Sequence, residues 1–427
     1  MQKLINFQLL RRNLKKDFSK FKKIKIAVLG DTTTNFLSQA LRGIGYEKEF
    51  DLEIWEADFN QIERQVLDET SDLYDFKPQI VIIFQSTHKL LGKYNKLLPH
   101  EHEELAANEL TSIEILTSSL IGNLNTKIIY YNYNEIDDSV FGNFSNKLKN
   151  SFIYQLRKLN YKLMNFASKN SNFYLCDIST IQNKIGKANF FEPSIYINAE
   201  MVLSIKCLPE VAMKTMDIIT ALQGNIKKCL ILDLDNTLWG GIIGDDGIEN
   251  IQIGSLGIGK AFTEFQLWAK KLKNRGVILA ICSKNTESVA KAPFTEHPEM
   301  VLKIDDISVF VANWENKVDN IRHIQSVLNI GFDSMVFLDD NPFERNIVRK
   351  NISEICVPEL PEDPAEYLEY LYTLNLFETV SFSNEDIGRT KQYQVEAKRA
   401  INQKKFTNVD DFLKSLNMIM YTKELWI

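Results

Sequence analysis

Two aspartates one residue apart follow an apolar run near the middle of the chain. Asp233 and Asp235 stand in the stretch LILDLDNTLWGGIIGDDG, directly after three apolar residues. A short, continuous apolar run predicts a strand buried on both faces, as a sheet covered by helices on each side requires. In open α/β sheets, ligands bind at the carboxyl ends of the strands. The two carboxylates therefore predict a metal ligand, a nucleophile or both.

Three further polar signals follow at ordered intervals, each after a strand-like apolar run. GVILAICSKN carries Ser283 and Lys284 at its end, WENK carries Lys317 at the start of a predicted helix, and SMVFLDDNPFE carries Asp339 and Asp340. Four such elements in this order are far less expected by chance than any one of them. Together they predict a single catalytic site.

The residue types at this site suit phosphoryl transfer, which needs an attacking group, a proton donor for the leaving oxygen and positive charge around the equatorial oxygens. Asp233 can attack phosphorus to give an aspartyl-phosphate, and Asp235 can protonate the leaving group and later activate water. Ser283 can donate a hydrogen bond to the phosphoryl oxygens, and Lys317 can pair with both the phosphate and Asp233. These four residues are the candidate catalytic set.

The acids at the strand ends also suit a magnesium site. Asp233, Asp339 and the main-chain carbonyl of Asp235 offer hard oxygen ligands for Mg²⁺, with water in the remaining positions and Asp340 close by. Without a cation, these carboxylates and a phosphate would repel one another. We therefore expect Mg²⁺ as the cofactor.

The order of these motifs resembles the haloacid dehalogenase superfamily, with DxDxT on a first strand, then Ser or Thr, a lysine and DD. DLDNTLWGGIIGDDG, LAICSKN, NWENK and VFLDDNPFER look like its FkbH-like branch in subfamily IIIC, most closely over residues 227–371. The resemblance implies a parallel, Rossmann-like sheet. It also implies that the substrate phosphate contacts Thr237 and Lys284 in addition to Ser283 and Lys317.

The same resemblance implies a reaction. The glyceryl group of 1,3-bisphosphoglycerate would be dephosphorylated and delivered as a thioester to an acyl carrier protein, in polyketide or related biosynthesis. Two alternatives stay open at this stage. One is a phosphatase that hydrolyses a small or protein-bound phosphate ester with the same residues, and the other is a non-catalytic scaffold that only binds partners.

The spacing between the motifs predicts an open site. Residues 240–275 have room for a glycine-rich segment and one helix, and residues 285–316 are similarly few. Neither segment can hold a separate cap domain of the kind that closes such sites. We therefore expect space for a large substrate such as a carrier protein and its tethered arm.

A thioester needs sulfur, which the carrier or an enzyme cysteine can supply. Cys282 lies directly before Ser283 at a catalytic strand end. Strand alternation points its side chain opposite to that of Ser283, which favours a buried structural cysteine. Capture of the acyl group by Cys282 remains the alternative and places it among the candidate catalytic residues.

The part of the chain before this site alternates strands and helices from Ile24 onward, as an α/β domain does. Its first strand ends in Gly-Asp-Thr, residues 30–32, which resembles the opening block of SGNH-type esterases. Thr32 stands where those enzymes have serine, and no histidine occurs between His102 and His297. A threonine without a base is not nucleophilic at neutral pH, so this domain is predicted to be a non-hydrolytic recognition or scaffold module.

The predicted organisation is an α/β chain with two consecutive parallel-sheet domains. A basic amphipathic helix over 1–25 precedes an SGNH-like domain over 26–223 and a haloacid-dehalogenase-like domain over 224–375. Residues 376–427 are expected to form a helical extension and the start of a truncated third domain. The 1–25 helix is expected to pack on its own domain, with binding to a membrane surface or an acidic partner as the alternative.

Composition limits the class of protein. The chain has 427 residues with a formal net charge of -6, which opposes broad nucleic-acid affinity. Five widely spaced cysteines favour reduced thiols in a cytoplasmic protein. No run of about 18 apolar residues is present, so no membrane span is expected. The expected partners are thus a small phosphorylated acyl donor and an acyl carrier protein.

Overall fold

The structure is a computed structural model that describes residues 5–383 and the six positions 385, 386, 388, 392, 393 and 395. The chain divides between Gln223 and Gly224 into two compact units. We call residues 3–223 the first unit and the part from Gly224 onward the second unit. Most of the predicted extension over 376–427, with the predicted start of a third domain, lies outside the described residues.

Both units are built from parallel strands and covering helices. The strands are β1 (Lys22–Gly30), β2 (Phe50–Glu56), β3 (Ile80–Phe84), β4 (Lys127–Tyr131), β5 (Phe173–Cys176), β6 (Cys229–Leu232), β7 (Ile278–Ser283), β8 (Val309–Ala312) and β9 (Met335–Leu338). The helices of the first unit are α1 (Phe7–Asn13), α2 (Asn35–Glu47), α3 (Ile62–Leu67), α4 (Asp72–Phe76), α5 (Thr87–Tyr94), α6 (Leu105–Leu124), α7 (Phe152–Ala167), α8 (Ile178–Ile185), α9 (Lys187–Phe190), α10 (Pro193–Ala199) and α11 (Leu208–Leu222). Those of the second unit are α12 (Ile243–Asp246), α13 (Gly259–Asn274), α14 (Glu287–Glu296), α15 (Lys317–Leu328), α16 (Pro342–Asn351) and α17 (Tyr367–Leu374).

The sheet of the first unit has the strand order β2-β1-β3-β4-β5, and every neighbouring pair is parallel. β3 has the sequence IVIIF and is buried along its whole length. Continuous apolar strands of this kind are expected where helices cover both faces of a sheet. The predicted α/β character of this part of the chain therefore holds.

The sheet of the second unit has the order β8-β7-β6-β9 and is also parallel throughout. β6 lies between β7 and β9, and its last residue Leu232 pairs with Ile281 and Leu338. Since parallel strands end at the same edge of a sheet, the residues after these three strands are brought together there. This edge carries the predicted site.

Side chains of the second sheet alternate between two cores. Leu230 and Leu279 belong to one buried cluster, whereas Ile231, Cys282 and Phe337 belong to the other. This period of two is the ordinary consequence of strand geometry. It decides which strand-end side chains reach the site and which are packed beneath a helix.

The segments that follow β6 and β7 are short in the structure. Between β6 and β7 lie α12, an antiparallel bridge between Gly240 and Gln252, and α13. Between β7 and β8 lie α14 and a short 3-10 turn, Ile304–Asp306. These elements match the short connections that the sequence predicts at both positions.

The predicted helix over residues 1–25 is too long. The structure forms α1 over seven residues only, begun by Asn6, whose side chain accepts the N–H of Leu9 at 2.9 Å. Asp17 then accepts the N–H of Ser19 in a turn, and the chain enters β1 at Lys22. The apolar positions beyond α1 are not helical and are satisfied by packing, since Phe18 and Phe21 both contact Tyr46 edge-on. Across the described residues, no helix combines the length and the apolar character needed to cross a membrane.

Candidate active site

Three carboxylates converge at the carboxyl edge of the second sheet. Asp233 follows β6, and Asp339 and Asp340 follow β9; each offers a carboxylate oxygen, and these oxygens lie within 4.8 Å of one another. Asp233 Oδ1 is buried and has no hydrogen-bond partner among the described residues. A buried carboxylate oxygen without a donor is costly unless a cation completes its coordination. The donor set, all oxygen, is the kind that hard divalent cations take.

Lys317 neutralises part of this charge. It is the first residue of α15, and the side chain of Asn316 caps that helix by accepting the N–H of Asp319 at 2.9 Å. Its Nζ lies 2.8 Å from Asp233 Oδ2 and 2.5 Å from Asp339 Oδ2. Burial would lower the pKa of Lys317, but the two neighbouring carboxylates outweigh burial and raise it. The amine is therefore held as an ammonium ion.

The pKa of Asp339 is raised, whereas an ion pair ordinarily lowers the pKa of an acid. Burial and the charge of Asp233 raise it, and the charge and hydrogen bond of Lys317 offset only part of that increase. The three carboxylates thus hold more negative charge than Lys317 balances, which again favours a bound cation.

Asp235 is held apart from the three-carboxylate cluster by three hydrogen bonds. Its Oδ1 accepts from Trp239 Nε1 at 2.9 Å and from the N–H of Ile243 at 3.0 Å, and its Oδ2 accepts from Asn285 Nδ2 at 3.0 Å. Burial raises the pKa of Asp235, although these donors oppose the shift. A carboxyl group with a raised pKa, fixed two residues after Asp233, is suited to donate and accept a proton.

The residues expected to contact phosphate differ in their placement. Ser283 ends β7 at the site edge and is buried. Thr237 accepts the N–H of Asp340 at 3.1 Å and lies 3.4 Å from Asp340 Oδ1, so its hydroxyl positions that acid. Lys284 forms an ion pair with Glu344 at 2.5 Å and would have to leave that partner to reach a phosphate.

Cys282 is poorly placed to accept an acyl group. Its side chain is fully buried in the core cluster beneath α15, and its Sγ lies 3.8 Å from the carbonyl oxygen of Lys317. Burial strongly raises the pKa of its thiol. A buried, protonated thiol is a weak nucleophile, so the structure opposes the catalytic role that the sequence left open for Cys282.

A cleft of about 680 Å³ opens beside the acids. Asn236 and Asp340 line it on the site side, and Ile258, Phe262 and Tyr367 form much of its apolar wall. Tyr367 donates its hydroxyl to the carbonyl of Asn236 at 3.2 Å, which ties α17 to the loop after β6. The cleft offers room for the part of a substrate that lies beyond its phosphoryl group.

Thr32 in the first unit lies at the end of β1 with its side chain fully buried. Its Oγ1 has no hydrogen-bond partner among the described residues. Its neighbour Asp31 accepts the N–H of Ser86 at 2.8 Å, and burial raises the pKa of Asp31 to about 7. Since nothing is placed to take a proton from Thr32, the geometry lacks the base that a hydroxyl nucleophile needs.

Sequence reasoning did not find Trp239, Asn285 or Arg345 as site residues. Trp239 and Asn285 hold Asp235, and Arg345 donates to the carbonyls that follow β9. One signal was available, because Asn285 comes two residues after Ser283 at a predicted strand end. Trp239 and Arg345 act through contacts that only the folded chain reveals.

The fold and the site define a two-unit α/β protein with a carboxylate and lysine cluster at the edge of its second sheet. The FkbH N-terminal domain family matches residues 25–220. A crystal structure of the N-terminal part of the protein BF1531 from Bacteroides fragilis, containing a phosphatase domain complexed with Mg, is 56% identical, with a TM-score of 0.85. That match covers 89% of this chain and 100% of the other. The chain therefore belongs to the same family as the BF1531 protein, and residues 25–220 match the FkbH N-terminal domain.

A second solved structure, the acetyl xylan esterase AlAXEase, is 16% identical over 46% of this chain and 100% of its own. Its TM-score of 0.31 is too low to support a comparison. No curated protein matches the sequence.

Proposed function

We propose that the second unit is a haloacid-dehalogenase-type domain of subfamily IIIC that catalyses Mg²⁺-dependent phosphoryl transfer through Asp233. The first unit is then an SGNH-like recognition module. The observation that carries the proposal is the unpartnered, buried Asp233 Oδ1 within a cluster of three carboxylates. The Mg in the related BF1531 structure supports the choice of cation.

The residues that would hold Mg²⁺ are Asp233, Asp339 and Asp340, whose carboxylate oxygens already converge. When bound, Mg²⁺ would neutralise their charge and that of a substrate phosphate. Lys317 stays charged beside Asp233 and adds a second positive group near the phosphoryl oxygens. Both features let a carboxylate approach an anionic phosphate without prohibitive repulsion.

In the proposed reaction Asp233 attacks phosphorus, the bond from phosphorus to the leaving oxygen breaks, and Asp235 protonates that oxygen. The same Asp235 then takes a proton from water as it hydrolyses the aspartyl-phosphate. The three donors that hold Asp235 fix its carboxyl group for both steps. Ser283 would donate to a phosphoryl oxygen from the end of β7.

The finer proposal concerns the substrate. The resemblance to FkbH-like proteins implies 1,3-bisphosphoglycerate as the substrate, and this molecule has both a phosphate ester and an acyl phosphate. Asp233 would remove the ester phosphate. A carrier-protein thiol would attack the acyl carbonyl carbon, forming the C–S bond as the C–O bond to phosphate breaks and losing its proton. The short connections after β6 and β7 and the open cleft support a carrier-sized acceptor.

Intact-protein mass spectrometry tests this reaction after incubation with Mg²⁺, 1,3-bisphosphoglycerate and a candidate acyl carrier protein. We expect a glyceryl adduct on the carrier and none on the enzyme, since Cys282 is buried. Phosphate release without a carrier adduct would select the phosphatase alternative. An enzyme adduct that disappears in Cys282→Ala would contradict our assignment of Cys282, and neither product would favour the scaffold alternative.

A further inference from the structure

Arg345 is a buried arginine that folds back from α16 toward the acids of the site. Its side chain is only 5% exposed, and its Nη1 donates to the carbonyl oxygen of Asp339 at 2.8 Å and to that of Asp340 at 2.6 Å. One guanidinium nitrogen therefore holds two successive peptide carbonyls. Neither contact uses the carboxylates of these two acids.

The remaining donors of Arg345 are fixed by one acid. Its Nε donates to Glu359 Oε2 at 3.0 Å, and its Nη2 lies 2.9 Å from the same oxygen. Glu359 also pairs with Arg349 through its other oxygen at 2.7 Å. A planar guanidinium held on two edges has little freedom to rotate, so the position of Arg345 is set before any ligand arrives.

The backbone of Asp340 is held at both its N–H and its carbonyl oxygen. Thr237 accepts its N–H at 3.1 Å, and Arg345 binds its carbonyl. The carboxylate of Asp339 is also oriented, because its Oδ1 accepts the N–H of Asn341 at 2.8 Å. With the backbone fixed in this way, each acid has few orientations left, and both orientations found here point into the three-carboxylate cluster.

We propose that Arg345, anchored by Glu359, is a positioning residue that fixes the peptide groups of Asp339 and Asp340 and so aims their carboxylates at the divalent cation. The proposal rests on the Mg²⁺ site of the proposed function. Arg345 touches neither substrate nor cation. Its loss should weaken cation binding more than it slows the chemical step once the cation is bound.

Isothermal titration with Mg²⁺ alone tests this role in the full chain, without any substrate. Groups that orient metal ligands typically contribute roughly 10- to 100-fold in metal affinity, and we expect Arg345→Met to raise the Kd for Mg²⁺ by about that factor. Arg345→Lys keeps the charge and can reach one carbonyl, so its Kd should fall between those of Arg345→Met and the wild type. At saturating Mg²⁺, kcat should recover further than at low Mg²⁺.

Arg349→Met is the matched control. Arg349 shares Glu359 and donates to the carbonyl of Val357 at 2.9 Å rather than to the loop after β9. Its loss should leave the Kd for Mg²⁺ within about 3-fold of the wild-type value, since a partly exposed pair contributes little.

A wild-type Kd for Mg²⁺ in Arg345→Met, with only a lower Tm, would show that Arg345 merely supports the fold and would overturn the proposal. If Arg345→Met does not fold, the comparison of Arg345→Lys with Arg349→Met decides the question by the same criterion. Failure of the proposed function is a separate result, because a chain that binds Mg²⁺ but turns over no phosphate would still show the Arg345 effect.

Discussion

Lys317 lies between two acids at a position that is almost closed to solvent. Its side chain is 3% exposed, and its ammonium group contacts both Asp233 and Asp339. Buried ion pairs of this kind contribute little net stability while intact, but removing one partner leaves an uncompensated buried charge. Lys317 therefore offsets only part of the negative charge of the three carboxylates.

Lys317→Met should destabilise the second unit by about 3–5 kcal/mol, because two buried carboxylates lose their counter-charge. Mg²⁺ should restore part of that loss, since it supplies positive charge to the same acids. Chemical denaturation with and without Mg²⁺ measures both effects. Lys284→Met is the comparison, because the Lys284 ion pair with Glu344 is partly exposed and should contribute about 0–1 kcal/mol. Equal losses of unfolding free energy in the two variants would show that the buried Lys317 ion pairs contribute no more than the partly exposed Lys284 pair.

At the residue scale, the positions of the acids along the sequence were enough to predict which of them lie close together. Asp233, Asp339 and Lys317 were predicted because each follows an apolar strand or begins a helix, and parallel topology converts that order into proximity. The roles of Thr237 and Arg345 were not predictable. Both depend on which backbone groups a side chain reaches after folding, and such contacts leave no periodic signal.

At the scale of elements, the carboxyl end of β1 buries an acid with one unsatisfied oxygen. Asp31 Oδ2 accepts from Ser86, but Oδ1 has no partner among the described residues. Burial is the main cause that raises the pKa of Asp31 to about 7, and the hydrogen bond and the nearby lysines Lys89 and Lys93 oppose it. The first unit therefore binds a proton here that the unfolded chain releases near pH 4.

A group whose pKa is raised on folding stabilises the fold at low pH and loses that contribution as pH rises through its folded pKa. The stability of the first unit should fall between about pH 4 and pH 7, by up to roughly 4 kcal/mol if Asp31 acts alone. Asp31→Asn cannot ionise and should remove most of this pH dependence while it keeps an acceptor for Ser86. Urea denaturation of both chains at pH 5 and pH 8 measures how much the free energy of unfolding changes with pH in each. An unchanged pH dependence in the variant would contradict the assignment.

The strands were the most predictable elements, because IVIIF and LIL are short apolar runs that only a covered sheet can bury on both faces. The amino-terminal helix was the least predictable. Its apolar spacing continued across α1 and the following turn into β1, but the helix ends at Asn13, and Phe18 and Phe21 pack against Tyr46 from the segment that follows. Periodicity identifies a buried face but does not locate the point where the chain changes direction.

At the scale of the whole molecule, the two units share a parallel-sheet architecture but differ in the groups at the edges of their sheets. Each has a parallel sheet with its own buried clusters. At the edge of the first sheet the buried Thr32 lacks a base, whereas the edge of the second sheet gathers three carboxylates and a lysine. A shared parallel-sheet architecture therefore does not imply a common activity, and the proposed chemistry belongs to the second unit alone.

The most direct test of the central claim is the rate of phosphate release from an aryl phosphate ester by the wild-type chain and by Asp233→Asn. With Mg²⁺ the wild type should turn over, and a chelator should stop it. Asp233→Asn keeps the shape of the side chain but loses the nucleophile, so its rate should fall by at least about 10³-fold while circular dichroism shows a folded chain. Release by Asp233→Asn at the wild-type rate would contradict the account.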